Sequence, residues 1–216
     1  MRYKLFCILP ALLLVQACGG NSEAAKPAAP ANEVQRAQQT AVFAGGCFWG
    51  VDAVFKHVKG VTLVESGYAG GSADTAHYDQ VSHGGTGHAE SVRVRFDPAQ
   101  VSYQQLLEVF FRVAHDPTTR NRQGPDEGSQ YRSAIFYTSA EQQKAAQDYV
   151  RKLTEEHAFP APIVTQIVPL PAFYPAEAYH QNFYARHQYM GYIIAYDVPK
   201  LKRLREQFTQ LYKQDN

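Results

Sequence analysis

Cysteine is scarce in this chain of 216 residues: there are three, and none follows Cys47. Cys7 and Cys18 belong to an N-terminal segment of their own character, so the folded part holds a single thiol with nothing to pair it. Neither sign of charge is in excess, with 21 Lys and Arg against 20 Asp and Glu. That balance argues against nucleic acid or an acidic surface as partner and points to a small or neutral group. Tryptophan occurs once, at Trp49, and past the N-terminal segment no apolar run is long enough to span a bilayer. What remains is 45% hydrophobic and 12% aromatic, enough for one sizeable core and one domain.

The first residues read as a processing segment. Arg2 and Lys4 are basic, Leu5 to Val15 is apolar but short, and Ala17 is a small residue immediately before Cys18. This resembles a bacterial lipoprotein signal. The resemblance implies a signal peptide over 1–17, cleavage before Cys18, and acyl chains on Cys18 that anchor the protein to a membrane. The alternative is an ordinary secretory signal that leaves Cys18 as a free thiol. Gly19, standing where an aspartate would suggest inner-membrane retention, favours the outer membrane. The expected location is thus the bacterial cell envelope, facing the periplasm. Residues 18–39 are Ala, Pro, Asn, Gln and Glu with almost nothing to bury, and read as a disordered tether. Residues 40–216 are the expected catalytic domain.

Within that domain, Ala41 to Ala44 reads as a buried strand that runs into Gly45-Gly46. A helix with the stripe Val51, Val54, Phe55, Val58 should follow and end at Gly60. Val61 to Ser66 reads as a strand and Gly67 to Gly87 as a loop. Ala89 to Phe96 alternates, placing Glu90, Val92, Val94 and Phe96 on one face. Ser102 and Gln105 form a candidate capping box for a helix that stops before Asp116-Pro117. A polar loop spans 118–130, Tyr131 to Tyr137 reads as a strand, and Ser139 with Gln142 caps a helix reaching about His157. Ile163 to Val168 is a further strand; an aromatic helix from Ala176 to Tyr189 and an amphipathic one from Pro199 to Tyr212 complete the chain. The class expected is α+β, a two-layer sandwich of a mixed or antiparallel sheet covered by helices, with a ferredoxin-like core.

Cys47, between two glycines and a helix, should sit in the helix's first turn, where free amides and the macrodipole favour an anion and ease ionisation. Gly50 permits close approach of another group. A free cysteine is more often a buried small hydrophobe, but the strand, glycine turn, cysteine and helix in succession favour a nucleophile. Phe48 and Trp49 suit the walls of an apolar pocket or ordinary core packing. Glu90 is turned inward on an apolar strand face, so burial should raise its pKa and keep it protonated near neutral pH, unless it pairs with Arg93 or Arg95 at an exposed strand end.

Six motifs in order carry a family resemblance: Gly45-Gly46-Cys47-Phe48-Trp49-Gly50, Gly67-Tyr68-Ala69-Gly70-Gly71, Gly87-His88-Ala89-Glu90, His115-Asp116-Pro117-Thr118-Thr119, Gly128-Ser129-Gln130-Tyr131-Arg132-Ser133 and Phe173-Tyr174-Pro175-Ala176-Glu177-Ala178-Tyr179-His180-Gln181. Together they resemble A-type peptide methionine sulfoxide reductases, from about Thr40 to Tyr189. The resemblance implies that Cys47 attacks the sulfoxide sulfur and becomes a sulfenic acid while Glu90 supplies a proton. It also implies that Tyr78 and Tyr131 bind the sulfoxide oxygen, that Asp126 belongs to the same polar network, and that Phe48 and Trp49 hold the S-methyl group. Implied substrates are oxidised proteins and free methionine sulfoxide, as the S epimer. No bound cofactor or metal is expected, and the enzyme should act as a monomer. Many members of the family recycle the sulfenic acid with C-terminal cysteines, which this chain lacks. An external thiol, a thioredoxin-like protein or a small thiol, is therefore the expected reductant. Three other readings compete: a cysteine hydrolase using His88, His115 or His180 as base, a metal site of Cys47 with His77 and His88, whose spacing matches no common zinc pattern, and a lipoprotein with an aromatic binding surface.

Overall fold

The computed structural model describes residues 38–214. The expected signal peptide, the expected lipid anchor at Cys18 and the expected tether up to residue 37 lie outside the described residues. The domain starts with β1 (Gln39–Gly45), one residue before the expected boundary, and α1 (Phe48–Lys56) follows. Next come β2 (Val61–Ala69), a short α2 (Tyr78–Val81), β3 (Ala89–Phe96) and α3 (Tyr103–Val109), which continues as a π-helical turn over Phe110–Ala114. A two-residue ribbon, β4 (Arg122–Gln123) and β5 (Asp126–Glu127), precedes β6 (Ser133–Tyr137) and α4 (Ala140–Glu155). β7 (Gln166–Pro169), β8 (Phe173–Pro175), α5 (Phe183–Arg186), a second π-helical turn (Ile193–Asp197) and α6 (Val198–Gln207) complete it.

The main sheet has the order β7-β6-β1-β3-β2-β8. Its inner four strands pair antiparallel, and β7 joins β6 in parallel. Read in chain order, β1-α1-β2-β3-α3-β6 with spatial order β6-β1-β3-β2 is the split βαβ arrangement of a ferredoxin-like core, as expected. Strand alternation decides which residues meet the helices. Ala41 and Phe43 of β1 and Val92, Val94 and Phe96 of β3 join Val54, Phe55, Leu106 and Phe110 in one apolar cluster. Phe43 stacks on Phe55 and Phe110, at ring separations of 5.1 and 4.8 Å. The opposite face, Val42, Ala44, Ala134 and Phe136, packs against Val168, Leu170 and Phe173. At roughly 25 cal/mol per Å² of apolar surface, burying a phenylalanine on either face contributes about 2 to 3 kcal/mol.

Both caps form. The Ser102 hydroxyl accepts from the Gln105 amide while the Gln105 side chain accepts from the Ser102 amide, and Ser139 accepts from Gln142. Several boundaries differ from the sequence reading. β2 runs on to Ala69 because Tyr68 and Ala69 pair with both β3 and β8. α1 stops at Lys56, and Val58 instead bridges to Tyr212. Tyr131 lies in a 3-10 turn ahead of β6, and β7 begins at Gln166 rather than Ile163. The long aromatic helix does not form. Over those residues the chain forms only a 3-10 turn at Ala178–His180 and the four-residue α5, entered through Asn182 in the left-handed conformation (φ 53°). The aromatic rings there are held by tertiary stacking, so helical periodicity was a poor guide. Among the described residues no helix is long and apolar enough to cross a membrane.

Candidate active site

The site lies where β1 turns into α1. Gly46 has φ +87°, and a β-carbon on it would come within 2.5 Å of Gln123, so glycine is required both by the turn and by the ribbon covering it. Cys47 then caps α1 with extended geometry (φ −53°, ψ 123°) and is buried, 8% exposed. Antiparallel register sets its partner. The β1–β3 ladder ends at Phe43 opposite Val92, and Glu90, two residues from Val92 on the same face of β3, has its carboxyl under the start of α1. There the Phe48 amide donates to Glu90 Oε2 at 3.0 Å. Glu90 is 2% exposed, and burial pushes its carboxyl up to about 8 even though the Phe48 amide pulls the other way. The expectation of an inward, proton-holding carboxyl is met.

Easy ionisation of Cys47 is not. Burial pushes its thiol well above the ordinary value, and the charges of Glu90 and Asp197 push in the same direction, against the Trp49 amide and Lys200. The helix-terminus argument overestimates the pull because desolvation outweighs a few partial charges. In addition, the Phe48 amide is committed to Glu90 rather than to sulfur. While Glu90 keeps its proton, its opposition to the thiolate disappears.

Around this pair the structure gathers the remaining candidates. The buried Phe48 ring lies 5.0 Å from His180, and Trp49, half-buried, stacks on Phe183 at 3.7 Å and stands edge-on to Tyr192. Tyr78 opens α2, its amide donating to Glu177 Oε1 at 2.9 Å, while the Tyr68 hydroxyl donates to Glu177 Oε2 at 2.8 Å. Burial raises the Tyr78 hydroxyl, and the charges of Glu90 and Cys47 add to it. Tyr131 is raised by burial and then by Glu90, Asp126, Cys47 and Tyr78. Cys47, Glu90, Tyr78, Asp126 and Tyr131 thus lie within electrostatic reach of one another. Asp126 sits in the ribbon, half-buried, and is raised by desolvation.

Two further participants emerge: Tyr192, which the sequence did not single out, and His180, which it offered only as a possible base. The Tyr192 hydroxyl donates to Asp126 Oδ2. The Trp49 indole N–H donates to His180 Nδ1 at 3.1 Å, leaving His180 Nε2 buried without a partner. Nothing in local spacing marks Tyr192 among fourteen tyrosines. The histidines offered as bases have other work. His88 accepts from the Gly71 amide and faces the Ser72 carbonyl, and His115 bridges the Phe110 carbonyl and Ser133 with its pKa driven by burial down to about 4. Among the described residues no group of three or more His, Cys, Asp or Glu could hold a metal ion.

Residues 39–212 match the family model described as peptide methionine sulfoxide reductase. The chain is 51% identical over 184 residues to the peptide methionine sulfoxide reductase MsrA 2 of Synechocystis sp., covering 85% of this chain and 86% of that protein. It is 48% identical over 188 residues to the MsrA of Deinococcus radiodurans, covering 87% of each. Among solved structures it is similar to reduced Mxr1 from Saccharomyces cerevisiae, with TM-score 0.66 and 32% identity over 71% of this chain and 87% of that one. It is also similar to methionine sulfoxide reductase A of Corynebacterium diphtheriae, with TM-score 0.62 and 33% identity over 70% and 76% of the two chains. A match across nearly the whole described domain, joined to a buried thiol over a proton-holding carboxyl, assigns the chain to the peptide methionine sulfoxide reductase family.

Proposed function

We propose that this protein reduces the S epimer of methionine sulfoxide, free or in proteins, through a Cys47 sulfenic acid that an external thiol then reduces. The observation that carries the mechanism is the buried Glu90 carboxyl bonded to the Phe48 amide, adjoining Cys47. The Cys47 thiolate attacks the sulfoxide sulfur, Glu90 gives its proton to the oxygen, and the oxygen passes to Cys47. One thiolate, one sulfoxide and one proton thus become a sulfenic acid and a thioether. Tyr78 and Tyr131 hydroxyls orient the oxygen, with Asp126 in the same network, and Phe48 and Trp49 enclose the S-methyl group. Because burial holds the resting thiol protonated, it ionises as substrate enters, and its proton replaces the one that Glu90 gives to the oxygen, so the step takes up and releases no net proton.

Recycling needs an outside donor. No cysteine follows Cys47, so an incoming thiol attacks the sulfenic acid, water leaves, and a second thiol resolves the mixed disulfide. A thioredoxin-like protein or a small thiol supplies these equivalents. The N-terminal segment supports an anchored enzyme in the cell envelope that repairs oxidised extracytoplasmic proteins.

Reaction of the full chain with one equivalent of a methionine sulfoxide peptide, followed by a sulfenic-acid trap and peptide mapping, tests this. The adduct is expected on Cys47 alone, with Cys47→Ser inactive toward the S epimer. An intramolecular disulfide, or turnover by Cys47→Ser, would overturn it.

A further inference from the structure

The start of α6 carries a side-chain pair that the chemistry above leaves unused. Asp197 and Lys200 lie one turn apart, with Lys200 Nζ 3.3 Å from Asp197 Oδ1. Asp197 is fully buried and Lys200 is 15% exposed. Asp197 stands at the N-terminus of α6, where an aspartate ordinarily caps, yet its side chain makes no capping bond. Its Oδ2 has no partner at all. Both side chains are instead turned against α1 at Gly50, three residues after Cys47. A β-carbon on Gly50 would stand 2.1 Å from Asp197 Oδ1 and 2.6 Å from Lys200 Nζ, so this approach exists only because residue 50 is glycine.

We propose that Lys200, held by Asp197 against Gly50, is a positioning residue for the reaction of Cys47, its ammonium being the countercharge against which the thiolate forms. This deepens the proposed function and rests on Cys47 being the attacking thiol. The groups that act on Cys47 are Glu90 from β3, Asp197 and Lys200 from the C-terminal segment, and the Trp49 amide of α1. Tyr78, Tyr131 and Tyr192 face it with neutral hydroxyls. Lys200 in turn faces Asp197, Asp126, His115 and Cys47. Of these, His115 is neutral through burial, so Lys200 is the one cation acting on the thiol among these groups. Asp197 acts on Cys47 with the opposite sign. Asp197 both holds the ammonium in place and opposes its effect on the thiol, and the two members must therefore move the thiol in opposite directions.

The test is the pH dependence of Cys47 alkylation by iodoacetamide in the full chain, read by mass spectrometry on the peptide containing Cys47 and not by turnover. Lys200→Met is expected to move the midpoint up, on the order of one pH unit or tenfold in thiolate at a fixed pH. Lys200→Arg is expected to stay near wild type, and Asp197→Asn, which keeps an acceptor for the ammonium, to move the midpoint down. Midpoints that do not move, or that move in the same direction in Lys200→Met and Asp197→Asn, overturn the proposal, because a pair that merely pins α6 leaves the thiol's titration alone. Should Lys200→Met fail to fold, Asp197→Asn decides alone: a midpoint at or above wild type overturns the idea. Loss of the Cys47 assignment would appear separately, as turnover by Cys47→Ser.

Discussion

Replacing Glu90 with glutamine removes a proton donor while keeping its shape, and the structure sets the size of two separate effects. The carboxyl's ordinary value of 4.5 is pushed up to about 8 by burial. The folded protein therefore keeps at pH 7 a proton that the unfolded chain releases. Holding it over the interval from 4.5 to 7 costs about 3 kcal/mol of folding stability. Since the folded value is the raised one, Glu90's contribution to stability is fully present below about pH 4.5 and is lost as pH rises through about 8. Glutamine cannot ionise, so Glu90→Gln should be more stable than wild type at pH 7 by an amount approaching that figure, with the difference vanishing near pH 4. Urea unfolding at pH 4, 7 and 8.5 measures it. Catalysis should move the other way. Loss of the acid is expected to slow single-turnover sulfoxide reduction by roughly 10² to 10⁴, while the wild-type rate falls as pH rises through about 8. Wild-type turnover by Glu90→Gln, or a stability difference that does not change with pH, would refute the account of Glu90.

Tyr192→Phe removes the hydroxyl that donates to Asp126; a lost bond to a charged group should slow single turnover roughly tenfold, about 1.4 kcal/mol, and an unchanged rate would separate Tyr192 from the site. Gly50→Ala forces a β-carbon onto the Asp197 carboxylate and should cost about 1 to 3 kcal/mol through overpacking, read as a lowered urea midpoint; an unaltered midpoint would show that the start of α6 yields freely.

Much of the site was legible in the sequence because it is carried by short-range geometry. A strand ending in Gly45-Gly46 followed by an amphipathic helix places Cys47 at a helix start, and strand parity turns Glu90 toward the core. Both hold in the folded chain. The capping box of Ser102 with Gln105 and the N-cap of Ser139 were equally local, since three-residue spacing is enough to specify them. The aromatic segment from Ala176 to Tyr189 was not legible as structure, because Phe183 stacks on Trp49 and His180 accepts from the Trp49 indole, contacts that only the folded chain brings together.

The amino-acid order alone thus pointed to a candidate nucleophile, its candidate acid, the lack of a cysteine over residues 48–216 and the ferredoxin-like class. Only the tertiary structure decided how those groups ionise and what accompanies them. Whether Cys47 is a thiol or a thiolate depends on the burial and charges that converge on it from β3, α1 and α6; the Tyr192–Asp126 bond joins residues 66 positions apart, and the Asp197–Lys200 pair meets Gly50 only through folding. Desolvation and Coulomb interaction act through space, and sequence spacing carries no record of them beyond a turn or a strand.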